Sequence, residues 1–151
     1  MDIDIIIPIY NAFDFVKKCI ETVIEHTDLT QHTLLLVNDK STDERILPLL
    51  NSFIKENQSL NIILIDNKDN QGFVRTVNIG MQYSHHDVVL LNSDTEVTRN
   101  WLSKIQNCAY SKPAVATVTP LSNNATLASV PVFLAENTIP SGLSVEEYAD
   151  I

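Results

Sequence analysis

The sequence predicts an α/β fold, a mostly parallel sheet with helices on both faces, and three observations carry that prediction. Apolar, β-branched runs alternate with stretches of helical periodicity in four successive units, the arrangement that builds parallel sheets. The runs are apolar on both faces, as strands buried in such a sheet must be. Each run stops abruptly in a polar cluster, most sharply where Val88-Val89-Leu90-Leu91 meets Asn92-Ser93-Asp94.

The elements follow in order. Ile3 to Ile9 reads as the first strand, and Phe13, Val16, Ile20, Val23 and Ile24 then recur at helical spacing, with Asn11 as N-cap. Thr33 to Val37 is the second strand, ending in Asn38-Asp39. Ser41-Thr42-Asp43-Glu44 has the form of a capping box, and Ile46, Leu49, Leu50, Phe53 and Ile54 follow. Pro48 lies within that periodic stretch and predicts a kink or restart, because it has no amide to donate. Asn61 to Ile65 is the third strand, with Phe73, Val77 and Met81 lining a third helix as far as about Tyr83. Val88 to Leu91 is the fourth, buried strand. A helix with Trp101, Leu102, Ile105 and Ala109 follows a Thr98 cap, and Val115 to Val118 suggests a fifth strand. Beyond Pro120 the pattern weakens into loop around Ser122-Asn123-Asn124, with a short helix at Val145 to Ala149.

Bulk properties exclude several classes. The 151 residues suffice for one core without disulfides, and 44% apolar with 19% charged residues is ordinary for a soluble globular protein. A net charge of −9, with ten Lys and Arg, argues against a nucleic-acid partner. Cys19 and Cys108 match no metal or redox spacing and read as buried free thiols of a reducing, cytoplasmic compartment. No secretory start and no stretch of about twenty apolar residues is visible, so no transmembrane segment is expected.

In a parallel sheet the C-terminal ends of all strands share one edge, where α/β proteins bind ligands. Here that edge collects Tyr10-Asn11, Asn38-Asp39-Lys40, Asp66-Asn67-Lys68 and Asn92-Ser93-Asp94. Each cluster alone reads equally well as turn and cap chemistry. Together they suit a nucleoside diphosphate: Tyr10 can cover a base, Asp39 can accept a ring N–H, and helix starts after Asn11 and Asn70 offer amides to phosphate. Asp94 can hold Mg or Mn against the diphosphate. Only three glycines occur, at 72, 80 and 142, which removes a P-loop and a G-x-G-x-x-G fingerprint.

Four stretches, Ile6-Ile7-Pro8-Ile9-Tyr10-Asn11, Val37-Asn38-Asp39-Lys40-Ser41-Thr42-Asp43, Asn70-Gln71-Gly72-Phe73 with Asn78 and Gly80, and Leu91-Asn92-Ser93-Asp94, together resemble family 2 glycosyltransferases of the GT-A, Rossmann-like fold. The resemblance covers roughly the first 110 residues. Asn92 to Val97 and Thr119 to Ala125 look like bacterial members near the rhamnosyltransferases. It implies that Pro8, Tyr10 and Asn11 line the nucleoside pocket, that Asp39 binds the base, and that Asn70 and Gly72 sit close to the nucleotide. Asn92 and Ser93 belong to the same donor side, and Asp94 would be the metal carboxylate ending the family's D-x-D. Asn92 departs from the first Asp of that motif. Lys68 and Arg75 could contact phosphate, although a solvated surface accounts better for both.

The implied partners are a UDP- or dTDP-linked sugar, a Mn or Mg ion, and a glycan or lipid-linked acceptor. The implied setting is bacterial polysaccharide synthesis in the cytoplasm, peripheral at the inner membrane face in a longer protein. No carboxylate after Asp94, including Glu136, Glu146 and Glu147, matches the family's catalytic-base motif. Residues 1–120 thus read as the nucleotide-sugar-binding core and 121–151 as the incomplete start of an acceptor-side region, with the base expected beyond Ile151 and no transfer by this chain alone. His85 and His86 fall at the opposite end of the sheet, and Trp101 reads as core. Two alternatives stand beside this reading. A nucleotidyltransferase would want a Gly-rich first loop, which is missing, and a non-catalytic α/β interaction module would bind no metal-dependent nucleotide.

Overall fold

The computed structural model describes residues 2–123 and 128–149. Its elements are β1 (Ile3–Ile9), α1 (Phe13–His26), β2 (Thr33–Asn38), α2 (Ile46–Glu56), β3 (Ile62–Asp66), α3 (Phe73–Tyr83), β4 (Asp87–Leu90), α4 (Trp101–Ala109) and α5 (Val145–Ala149). The four strands form one parallel sheet in the order β3-β2-β1-β4. The chain divides into two compact units between Val97 and Thr98. Asn124 of the loop expected at Ser122-Asn123-Asn124, and Ala125 of the Thr119–Ala125 stretch, lie outside the described residues.

In the first unit the core follows from strand alternation. Ile6, Leu35 and Val37 point to one face and are buried, with the partly buried Ile65, Ile79 and Val88 packed against them. Helix α3 covers this side, packing on β1 and β2. It comes very close: a Cβ on Gly80 would lie 2.6 Å from Cγ2 of Ile6, so only glycine fits there. Ile5, Ile7, Ile9, Leu34 and Leu36 alternate to the opposite face and are equally buried, so both faces of β1 and β2 are covered. Helix α1 buries Val16, Cys19, Ile20, Thr22 and Val23, and α2 buries Ile46 and Leu50. In the second unit Trp101 and Leu102 are buried, and the side chain of buried Asn137 ties residues 129–137 together. Its amide donates to Ser129 Oγ and to the carbonyls of Val132 and Ala135.

Several local expectations are corrected. β4 is an edge strand in this sheet, and Leu90 is 47% exposed. An apolar run records burial tendency but not which strands flank it. Val115 to Val118 has no ladder partner among the described residues and forms no strand. The capping box at Ser41–Glu44 does not form: α2 begins only at Ile46, preceded by Arg45 with no side-chain cap. Pro48 is therefore the third helical residue, inside the first turn where no intrahelical partner for an amide exists, and it causes neither kink nor restart. Neither Asn11 nor Thr98 caps a helix; the residues preceding α1 and α4 are Ala12 and Asn100, both left-handed. In α3 the buried face is Thr76, Val77 and Gly80, while Phe73 and Met81 are exposed. Cys19 is buried as expected, but Cys108 is exposed.

Candidate functional site

The edge at the C-terminal ends of the strands is built by backbone pairing that continues past the strands. Asp39 N donates to Ile9 O at 2.8 Å and Asn67 N to Asn38 O at 2.9 Å, so the three loops leave the sheet in step. Pro8, Ile9, Tyr10, Asp39, Asn70, Gly72, Phe73 and Thr76 line a pocket of about 290 Å³ at this edge. Five of the sequence-named residues thus converge: Pro8, Tyr10, Asp39, Asn70 and Gly72. Tyr10 is half exposed, and Phe73, 60% exposed, places a second aromatic ring on the lining.

Asp39 organises the pocket wall. Only 4% exposed, it accepts Gln71 N at 2.7 Å and Asn67 Nδ2 at 3.0 Å on Oδ1, and Gly72 N at 2.8 Å on Oδ2. Burial raises its pKa, but the donors Gln71 N, Asn67, the Thr76 hydroxyl and Gly72 N together hold the carboxyl below its usual value. Asn70 Nδ2 adds a bond to Asp39 O at 3.2 Å. Gly72 precedes α3 at φ 76°, a conformation that suits glycine. The amides of Gln71 and Gly72 at the start of α3 are thereby directed at Asp39 rather than left open for phosphate, which corrects the expectation for that helix start.

Asn11 does not line the pocket. Its Oδ1 accepts Thr42 N at 2.8 Å and Asp43 N at 2.9 Å, while its own N donates to Ser41 Oγ at 2.9 Å. It joins the loops after β1 and β2, and with Ala12 it forms two consecutive left-handed residues that turn the chain from β1 into α1. Arg75 and Lys68 are exposed and outside the pocket lining.

Asn92, Ser93 and Asp94 stand in a separate turn after β4, in which Thr95 N donates to Asn92 O at 3.1 Å. Asn92 and Asp94 are exposed. Among the described residues no group of three His, Cys, Asp or Glu side chains is arranged to hold a metal. The donor set is thus one carboxylate, Asp94, with Asn92 and Ser93 beside it. Such a set suits a hard cation whose remaining ligands come from a diphosphate and water.

Other carboxylates serve the structure. Glu146 accepts Arg99 N at 3.1 Å and pairs with its guanidinium at 3.4 Å, and Glu147 accepts Ser144 N at 2.8 Å at the start of α5. At the far end of the sheet, buried Asp4 accepts Ser84 Oγ at 2.7 Å and His85 N at 3.2 Å, with His86 Nδ1 at 3.3 Å, which gives these histidines a structural role. The sequence reading missed Phe73 and Thr76 as lining residues and Asn67 as the partner of Asp39. The position of Phe73 directly after Gly72, at a helix start on the active edge, was the available clue.

A parallel sheet with a pocket and an acidic turn at the C-terminal ends of its strands has the architecture of a ligand-binding α/β domain. Residues 4–132 match glycosyl transferase family 2, and the chain belongs to that family. It is 31% identical over 104 residues to polypeptide N-acetylgalactosaminyltransferase 11 of Xenopus tropicalis, covering 67% of this chain and 17% of that protein. It is 33% identical over 73 residues to the poly(ribitol-phosphate) beta-glucosyltransferase of Bacillus spizizenii, covering 48% of this chain and 11% of that protein. A mannosyltransferase from Pyrobaculum calidifontis, solved in complex with GDP-Man and Mn2+, shares the fold with a TM-score of 0.73. The identity is 17%, over 80% of this chain and 35% of that one. The chain therefore spans less than a third of the length of these two curated relatives, and its fold is of the GT-A type. Among the described residues no helix is long and apolar enough to cross a membrane.

Proposed function

We propose that this chain binds the donor of a metal-dependent glycosyltransferase, a nucleoside-diphosphate sugar linked to UDP or dTDP. The observation that carries this is the convergence of Pro8, Tyr10, Asp39, Asn70 and Gly72 on one pocket at the C-terminal edge of the sheet. The ring of Tyr10, with Phe73 also in the lining, offers apolar faces to a flat base. A ring N–H of the base reaches Asp39 where the Thr76 hydroxyl, which can rotate, gives way. Asp94, with Asn92 and Ser93 beside it, would hold Mn or Mg, and that cation would supply charge stabilisation to a leaving nucleoside diphosphate. The mannosyltransferase solved with GDP-Man and Mn2+, and S. aureus TarS, of similar fold (TM-score 0.62, 17% identity) and solved with UDP-GlcNAc, support this reading. The acceptor we propose is a glycan or lipid-linked saccharide of bacterial polysaccharide synthesis. The catalytic base is assigned to none of Glu136, Glu146 and Glu147, so the chain on its own binds donor without transferring sugar.

Calorimetric titration with UDP and with dTDP, each with and without Mn2+, tests the reading on the wild type and on Asp94→Ala. Binding that requires both Mn2+ and Asp94 is the expected result. Folded protein that binds neither nucleotide under any condition overturns it in favour of an interaction module.

A further inference from the structure

The acidic turn is held from below by two side chains of α1 that the nucleotide reading does not use. Asn92 O accepts the Thr95 amide at 3.1 Å and the Cys19 thiol at 3.5 Å. Five residues on, Val97 N donates to Thr22 Oγ1 at 3.2 Å, and that hydroxyl in turn donates to Cys19 O at 3.0 Å. Cys19 and Thr22 are three residues apart, so they lie on one face of α1. Both are buried, as is Val97. The six-residue stretch Asn92–Val97 is thus pinned at its first and last residues, while Asp94 between the two anchors is exposed. The position of Asp94 is set by the backbone that these anchors hold.

We propose that Cys19 and Thr22 are positioning residues for the metal carboxylate Asp94, acting through the backbone of the Asn92–Val97 turn. This rests on the donor-site reading above. The same helix begins three residues after Tyr10, at Phe13, so one rigid element joins the base-binding end of β1 to the turn presenting the metal ligand. Cys19 acts here as a buried hydrogen-bond donor and not as a nucleophile. Burial pushes its thiol up to about 12, opposed by the Thr95 amide, with lesser upward contributions from the Asp94 and Glu96 carboxylates. The thiol therefore stays protonated and able to donate.

The test pairs a variant that removes the hydrogen bond with one that keeps a hydroxyl donor: Thr22→Val against Thr22→Ser, and Cys19→Ala against Cys19→Ser. UDP affinity is measured by calorimetry with and without Mn2+, and amide exchange is followed at Thr95, at Val97 and in β1. Thr22→Val and Cys19→Ala are expected to weaken the Mn2+-dependent part of binding about tenfold, as loss of groups that orient a metal ligand does. Metal-free UDP affinity stays within about twofold of the wild type, exchange accelerates at Thr95 and Val97 but not in β1, and Thr22→Ser restores the Mn2+ dependence. Variants that retain full Mn2+ dependence, or that lose metal-free binding to the same degree, overturn the positioning role. If the wild type itself shows no Mn2+ dependence and Asp94→Ala changes nothing, the donor reading fails first and the role falls with it.

Discussion

The carboxylate of Asp39 accepts the backbone N–H of Gly72 at 2.8 Å, so the residue directly after β2 fixes the start of α3, the helix of the next β-α unit. The contact spans 33 residues and comes with three further donors to the same carboxylate. Asp39 is thereby a structural residue as well as a candidate base-binding one. Asp39→Ala leaves the Gln71 and Gly72 amides without their acceptor and is expected to cost about 2–3 kcal/mol of stability, besides abolishing UDP binding. Urea unfolding beside calorimetry measures both. A variant as stable as the wild type would reduce Asp39 to a ligand contact alone.

Gly80 makes a second prediction, about packing. An added methyl would meet Ile6 at 2.6 Å and 3.3 Å and Val37 at 3.3 Å, all on fully buried, branched side chains with little freedom to move. Gly80→Ala gains about 1 kcal/mol of helix propensity. Overpacking of a closed core costs about 1–3 kcal/mol and outweighs it. A net loss of about 1 kcal/mol or more in thermal unfolding is expected, and a stabilised variant would show that α3 can lift from the sheet.

Much of the fold was legible because it depends on local pattern. The alternation of apolar runs and helical periods located all four strands and the helices between them, and it put Tyr10, Asp39 and Asp94 on one edge. What the sequence did not disclose depends on contacts distant in the chain. Asn11 looks like a cap for the helix beside it, yet its side chain serves Thr42 and Asp43, some thirty residues on. Asn67 looks like a turn residue until the sheet sets it against Asp39. Phe73 has the spacing of a core residue, but it falls on the pocket because the face of α3 that meets the sheet is chosen by the close approach of Gly80 to Ile6.

Acid sensitivity follows from the two buried carboxylates. Burial raises the pKa of Asp4, but bonds from Ser84, His86 and the His85 amide, with the charge of His86, outweigh it and leave the value lowered, as for Asp39. A carboxyl whose folded pKa is depressed stabilises the fold fully above its unfolded value of about 3.9, and that contribution is lost as pH falls through the folded value. Stability should therefore drop below about pH 4, each group adding a slope of up to about 1.4 kcal/mol per pH unit. In urea titrations Asp4→Asn should be less stable than the wild type at pH 7, and the gap should narrow as pH falls below about 4. A gap constant with pH would mean that the charge of Asp4 contributes nothing.

The departure at Asn92 gives the most direct test of the acidic turn. Its backbone carbonyl is engaged by Thr95 and Cys19, but its side chain is exposed two residues before Asp94, with Glu96 exposed two residues after. Asn92→Asp leaves the backbone anchors intact and supplies a second carboxylate. Without metal, the added charge faces Asp94 and Glu96 and should lower stability slightly through like-charge repulsion. With Mn2+ and UDP, the extra anionic ligand should tighten the ion on the order of tenfold. Because a ligand that binds only the folded state stabilises it, the Mn2+-induced rise in unfolding temperature should be larger in Asn92→Asp than in the wild type. Thermal unfolding across a Mn2+ series at fixed UDP separates the two effects. Lower stability without any larger Mn2+ response would mean that the residue 92 side chain does not reach the ion, leaving Asp94 as the sole protein carboxylate of the site.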